Sequence, residues 1–151
     1  MPFTATYGHT NLVARDWTVL AAFYENVFGC KPVPPIRDLS GDALERGTAI
    51  PGARLQGVHL RLPGFGENGP TLEIFTYATP AMGAPTAANR PGFGHIAFVV
   101  SDVPAARDAV LRAGGSAHGE IVTTSAGNRT VTWVYVRDPE GNLIELQAWS
   151  E

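Results

Sequence analysis

Four side chains of this chain have types and positions suited to holding a cation: His9, Glu73, His95 and Glu145. His9 and His95 each follow a glycine at the head of an alternating run, Tyr7-Gly8-His9-Thr10-Asn11-Leu12-Val13-Ala14 and Gly94-His95-Ile96-Ala97-Phe98-Val99-Val100. Glu73 and Glu145 each stand between aliphatic residues, in Leu72-Glu73-Ile74 and Ile144-Glu145-Leu146. Successive side chains of a strand point to opposite faces, so each of the four lies opposite the aliphatic positions that would pack under a helix. Two imidazoles and two carboxylates suit one borderline divalent ion, zinc, nickel, cobalt, manganese or ferrous iron, with room left for water or substrate. Copper(I) would want sulfur, and calcium more oxygen ligands. Taken singly, a strand histidine is more often a hydrogen-bonded or surface residue than a ligand, and a strand glutamate is usually solvated. Their joint recurrence at matching places reverses that balance.

The elements that must position these residues form a tandem repeat. Gly8, His9, Asp16 and Gly29 map onto Gly94, His95, Asp102 and Gly115 at one constant offset. In the first copy a strand over 6–14 leads to Asp16 as N-cap and a helix through Leu20, Ala21, Phe23, Tyr24, Val27 and Phe28, ended by Gly29. Pro32, Pro34 and Pro35 then stop regular structure from continuing at once. Residues 37–57, broken by glycines and Pro51, read as a loop with one short strand. Val58 to Leu62 and Thr71 to Tyr77 alternate and make a hairpin across the turn 63–70. Residues 79–92, rich in Ala, Pro, Gly and Thr, read as a linker. The second copy runs through strand 93–100, cap Asp102, a helix to about Ala113, the stop Gly114-Gly115, strands near 119–124 and 129–136, the turn Asp138-Pro139-Glu140-Gly141-Asn142, and a last strand from Leu143 to Trp149. Each half is βαβββ, the class is α+β, and the modules occupy about 5–78 and 93–150. The two glutamates are closer in sequence than the histidines, which places extra residues of the first half in region 31–57, where a loop can take them.

Composition limits the partners. A chain of 151 residues with 44% hydrophobic content can bury a core without staples. Net charge is −3 without a Lys/Arg block, so the footprint of a nucleic-acid binder is missing and small molecules are the expected partners. The single cysteine, Cys30, excludes an intramolecular disulfide and suits a reducing compartment. With neither a charged leader nor a long apolar run, the expectation is a soluble cytoplasmic protein with no membrane partner.

The repeat resembles the vicinal oxygen chelate superfamily, the glyoxalase, bleomycin-resistance and extradiol-dioxygenase group. The resemblance covers nearly the whole chain and is most specific in Gly94 to Val100 with Asp102, and in Asp138 to Leu146. It implies two paired βαβββ modules in a curved, cup-shaped mixed sheet with helices outside. It also implies one divalent metal per site, ligated from the first and last strand of each module by His9, Glu73, His95 and Glu145. These match glyoxalase I-like members, whose reaction is Lewis-acid stabilisation of an enediolate or enolate of a small oxygen-rich substrate, with a glutamate moving the proton. Pseudo-symmetry leaves Glu73 and Glu145 equal candidates for that base. The front-running substrate is a thiol hemiacetal. An extradiol-type dioxygenase, a methylmalonyl-CoA epimerase-like isomerase and a non-catalytic, antibiotic-sequestering protein are the alternatives. The extra carboxylate Glu73 counts against the dioxygenase, the usual glutamine at that place against the epimerase, and the full ligand set against pure sequestration. A homodimer is implied, with modules pairing within the chain or across it.

Tyr7, Asn11, Phe75, Tyr77, Trp133, Tyr135, Gln147 and Trp149 fall on the same faces and are candidates to shape a substrate pocket, although aromatic packing in a curved sheet explains each as well. His59 and Arg61 read as a solvated strand face in preference to a site, with Arg61 the alternative partner of an anionic substrate. His118 reads as surface, and Cys30 lacks a readable base. Gly64-Phe65-Gly66-Glu67-Asn68-Gly69 lacks the helix and the Gly-Lys-Ser/Thr ending of a phosphate loop and reads as a hairpin turn.

Overall fold

The computed structural model describes residues 2–150. The chain divides into two compact units, Met1–Met82 and Gly83–Glu151. Unit one runs β1 (His9–Val13), α1 (Trp17–Phe28), β2 (Lys31–Ser40), α2 (Asp42–Thr48), β3 (Arg54–Arg61) and β4 (Thr71–Tyr77). Unit two runs β5 (Ile96–Val99), α3 (Val103–Arg112), β6 (Ser116–Ala117), β7 (Val122–Ala126), β8 (Arg129–Arg137) and β9 (Leu143–Ser150). The class is α+β, and each unit forms its own mixed sheet. The order is β1-β4-β3-β2 in the first and β5-β9-β8-β6 in the second, where β7 also pairs β8. In each, the first and last strands are parallel and the others antiparallel.

The helices form where capping and apolar spacing coincide. Asp16 accepts the Thr18 and Val19 N–H groups at 2.9 and 3.4 Å, and Gly29 closes α1 at φ 70°. Asp102 accepts the Ala105 N–H at 2.9 Å. At the end of α3, Gly114 takes the positive φ, whereas Gly115 provides clearance: a Cβ there would lie 2.5 Å from the Arg137 carbonyl.

α1 packs on β3 and β4, and α3 on β8 and β9. Leu20 and Tyr24 of α1 are fully buried, as are Leu60, Leu72 and Ile74 of the strands. Val103 and Val110 of α3, with Val134, Val136, Ile144 and Leu146, make the corresponding core of unit two. Each such aliphatic side chain contributes about 1.5–3 kcal/mol by leaving water. This burial fixes which face of each sheet is covered by its helix, and by alternation which face carries the glutamates.

Three sequence expectations are corrected. The prolines do not interrupt regular structure, because β2 spans Pro32, Pro34 and Pro35. As an edge strand, β2 can turn positions without an N–H away from its neighbour, and the register with β3 shifts between Val33 and Arg37, where Pro34 and Pro35 lie. Residues 37–57 are likewise not a loop with one short strand. They hold the end of β2, α2 and the start of β3, which pairs as far back as Arg54 with Ser40. Strand 93–100 is shorter than expected, so His95 immediately precedes β5. Part of the linker is tied down: the Thr86 hydroxyl donates to the Gly141 carbonyl at 2.8 Å, and Arg137 Nη2 donates to the Thr86 carbonyl at 3.1 Å.

The β8–β9 turn is built on Asp138, 2% exposed. Its Oδ1 accepts the N–H groups of Glu140 and Asn142, both at 2.9 Å, and its Oδ2 accepts from Asn142 Nδ2 at 2.8 Å. With Gly141 at φ 89°, this network starts β9 in one register and thereby aims Glu145.

Candidate functional site

In unit one, β4 lies between β1 and β3, with Glu73 opposite Asn11 on one side and His59 on the other. Leu72 and Ile74 point into the core, so Glu73 points to the face away from α1, its side chain 12% exposed. Three nitrogens gather on its carboxylate. His9 Nε2 lies 3.3 Å from Oε1, Asn11 Nδ2 donates to Oε1 at 3.2 Å, and His59 Nε2 lies 2.8 Å from Oε2. The His59 ring stands edge-on to His9 at 6.0 Å and to Phe75 at 5.9 Å between centroids. Burial lowers the His59 pKa below the ordinary imidazole value; Glu73 opposes this, while Arg37 and His9 add to it. His59 is therefore neutral at neutral pH, and its contact with Glu73 is a hydrogen bond donated by Nε2–H.

Unit two repeats the plan with different neighbours. β9 lies between β5 and β8, and Glu145 is opposite Ala97 and Tyr135. His95 Nε2 is 3.0 Å from Glu145 Oε2. The rings of His95 and Tyr135 lie 4.9 Å apart, and Trp133 follows at 5.4 Å from Tyr135. Burial and then the Glu145 charge raise the Tyr135 pKa, which keeps the phenol protonated. The register thus aligns Asn11, Glu73 and His59 with Ala97, Glu145 and Tyr135. The glutamates correspond, but their flanking residues do not.

The model of the Glyoxalase/Bleomycin resistance protein/Dioxygenase superfamily matches residues 6–146. The chain belongs to this superfamily. A "Probable lactoylglutathione lyase" of Vibrio parahaemolyticus is 41% identical over 54 residues, 36% of this chain and 38% of that protein, so the chain matches well under half of that relative's length. A glyoxalase family protein of Bacillus cereus has a similar structure, with TM-score 0.81 and 18% identity over 99% of this chain and 97% of that one. A glyoxalase family protein of Enterococcus faecalis gives TM-score 0.61 and 20% identity over 97% and 99%. Both likenesses are of fold. No helix among the described residues is long and apolar enough to cross a membrane.

Members of the superfamily usually use a divalent metal, and the donors of each unit can be compared with that requirement. Atoms bound about 2.1 Å from one ion lie about 3.0–3.4 Å apart in octahedral or tetrahedral arrangements. The His9–Glu73 and His95–Glu145 separations, 3.3 and 3.0 Å, have this spacing, and each pair offers one nitrogen and one oxygen. The donor chemistry fits a borderline divalent ion pair by pair. Among the described residues, no group of three or more His, Cys, Asp or Glu side chains is gathered as a metal centre.

The pocket candidates separate into near and remote. Asn11 touches Glu73, Phe75 touches His59, and Tyr135 with Trp133 lies beside His95 and Glu145. Gln147 is one step further along β9, accepting from Trp149 Nε1 at 2.6 Å. Tyr7 is exposed and shares a short hydrogen bond with Thr10, and Tyr77 is at the far end of β4 opposite Leu55. Arg61 donates to the Gly69 carbonyl and so braces its own hairpin. His59 is the residue that sequence reasoning passed over: it is not a solvated strand residue, being 19% exposed and bonded to Glu73. The available signal was parity across the β3–β4 hairpin, which an irregular turn of unknown length conceals.

Proposed function

We propose that the chain is a metal-dependent lyase or isomerase of the glyoxalase I-like type, acting on a small substrate with two neighbouring oxygens and moving a proton between adjacent carbons. The observation that carries this reading is one imidazole–carboxylate pair repeated at corresponding positions of two sheets, His9 with Glu73 and His95 with Glu145. The residues proposed to ligate a divalent ion, zinc, nickel, cobalt, manganese or iron, are His9 with Glu73 in one sheet and His95 with Glu145 in the other. When bound, the ion supplies Lewis-acid polarisation of the two substrate oxygens. The protein's own work is to bind, orient and move the proton. Glu73 is pinned from both sides by Asn11 and His59, so it serves as a fixed ligand. Glu145 meets His95 alone among the described hydrogen-bond and ion-pair partners, so it is freer to turn toward substrate, take the proton and return it at the neighbouring carbon. Tyr135 and Trp133 set aromatic rings beside His95 on that side. The Vibrio relative's designation supports a glutathione hemithioacetal as the substrate to try first, and a homodimer accompanies this reading.

Protein purified without chelator or affinity tag should contain one divalent ion per site and convert the hemithioacetal of glutathione and an α-ketoaldehyde. Failure to take up any divalent ion would sink the reading. Oxygen uptake with a catechol would reassign the chain to ring cleavage, and tight ligand binding without turnover would reassign it to sequestration.

A further inference from the structure

Glu73 has two oxygens with different surroundings. Oε1 lies on the β1 side, where His9 Nε2 and Asn11 Nδ2 approach at 3.3 and 3.2 Å. Oε2 lies on the β3 side, where His59 Nε2 approaches at 2.8 Å. That last distance is the length of a strong N–H···O hydrogen bond and shorter than the spacing expected between two ligands of one ion. The His59 ring stands edge-on to Phe75, and its strand position is fixed by pairing with Val33 on one side and Glu73 on the other. The corresponding place in unit two holds Tyr135, which makes no hydrogen bond to Glu145 among the described contacts, so this restraint belongs to the first module alone.

From this geometry we infer that His59 is a positioning residue for Glu73. By committing Oε2 to its own Nε2–H, it makes Glu73 a one-oxygen donor that presents Oε1 beside His9. The inference rests on the metal reading above for its consequence and on the hydrogen bond alone for its existence. A partner that orients a ligating carboxylate typically changes metal affinity by about 10–100-fold when removed. A ligand of the ion would cost more and could not be replaced by a side chain that only donates a hydrogen bond.

The test uses the full chain. In metal-free protein labelled with 15N-histidine, a slowly exchanging His59 Nε2–H resonance is expected, and it should be lost in Glu73→Ala. A His59 ring protonated on Nδ1, or a resonance indifferent to Glu73→Ala, would overturn the inference whether or not metal binds. In zinc competition against a chromophoric chelator, His59→Ala should weaken binding by about 10–100-fold and His59→Gln should restore most of it, with unfolding midpoints of the metal-free variants near wild type. Unchanged affinity in His59→Ala, or no recovery in His59→Gln, would overturn it too, the latter by making His59 a ligand. Wild-type protein that binds none of zinc, nickel, cobalt, manganese and ferrous iron but shows the Glu73-dependent resonance would refute the metal reading and leave the positioning intact.

Discussion

Glu73 and Glu145 are the same residue type in the same strand position, and it is their neighbours that differ. Three nitrogen donors hold Glu73, whereas His95 alone among the described residues reaches Glu145. The expected separation is kinetic: Glu145→Gln should retain much of the metal affinity and lose at least about 10²-fold in kcat, the usual size of a proton-transfer contribution. Glu73→Gln should chiefly weaken metal binding, and full activity on resupplying metal would distinguish it from Glu145→Gln. An opposite pattern, with Glu73→Gln loaded but inactive, would exchange the two roles. Cys30 is a separate case. Burial at 3% exposure pushes its thiol up to about 11. The folded protein should therefore resist a thiol reagent at pH 8 and react only on unfolding, which a stoichiometric titration with and without denaturant would show.

The strands and their turns convert local sequence into side-chain direction. Asp138 is the buried carboxylate on which the β8–β9 turn is wound, and three N–H donors depend on it. Asp138→Ala would leave those donors without their acceptor at a cost of about 1–3 kcal/mol, seen as a lower denaturant midpoint, and would loosen the register that aims Glu145. Under the helix, Ile74→Ala should cost about 2–5 kcal/mol, since Ile74 is fully buried between α1 and its sheet. The α1 cap carries a pH dependence. Hydrogen bonds from the Thr18 hydroxyl and then the Thr18 and Val19 N–H groups hold Asp16 below its ordinary carboxylate value. A depressed folded pKa contributes stability above the unfolded value, and that stability is lost as pH falls through the folded one. The stability difference between wild type and Asp16→Asn should thus be flat at neutral pH and shrink under acid. A difference growing under acid would have the wrong sign.

For the molecule as a whole, the repeat is where sequence and structure meet. A ligand that binds the folded chain and not the unfolded one stabilises it by mass action, about 2.7 kcal/mol at a hundredfold excess over Kd. Divalent metal should accordingly raise the unfolding midpoint of the wild type and leave that of His9→Ala unmoved, as calorimetry would record. Much was legible beforehand, because periodicity and capping are local. The strand–helix opening of each half follows from Gly8-His9 and Gly94-His95 with their caps Asp16 and Asp102, and alternation put Glu73 opposite Leu72 and Ile74. What was illegible depended on neighbours. The prolines of β2 are tolerated because that strand is at a sheet edge, a property no window of residues reveals. His59 beside Glu73 required the β3–β4 register across an irregular turn, and the inequality of the two glutamates required knowing that His59 in one sheet stands where Tyr135 stands in the other. The amino-acid order by itself determined the strand–helix opening of each half, the doubled plan and the face on which Glu73 and Glu145 lie, since these follow from spacing along the chain. Only tertiary pairing decided which group touches which carboxylate oxygen, because a strand's partners are chosen by residues far from it in sequence.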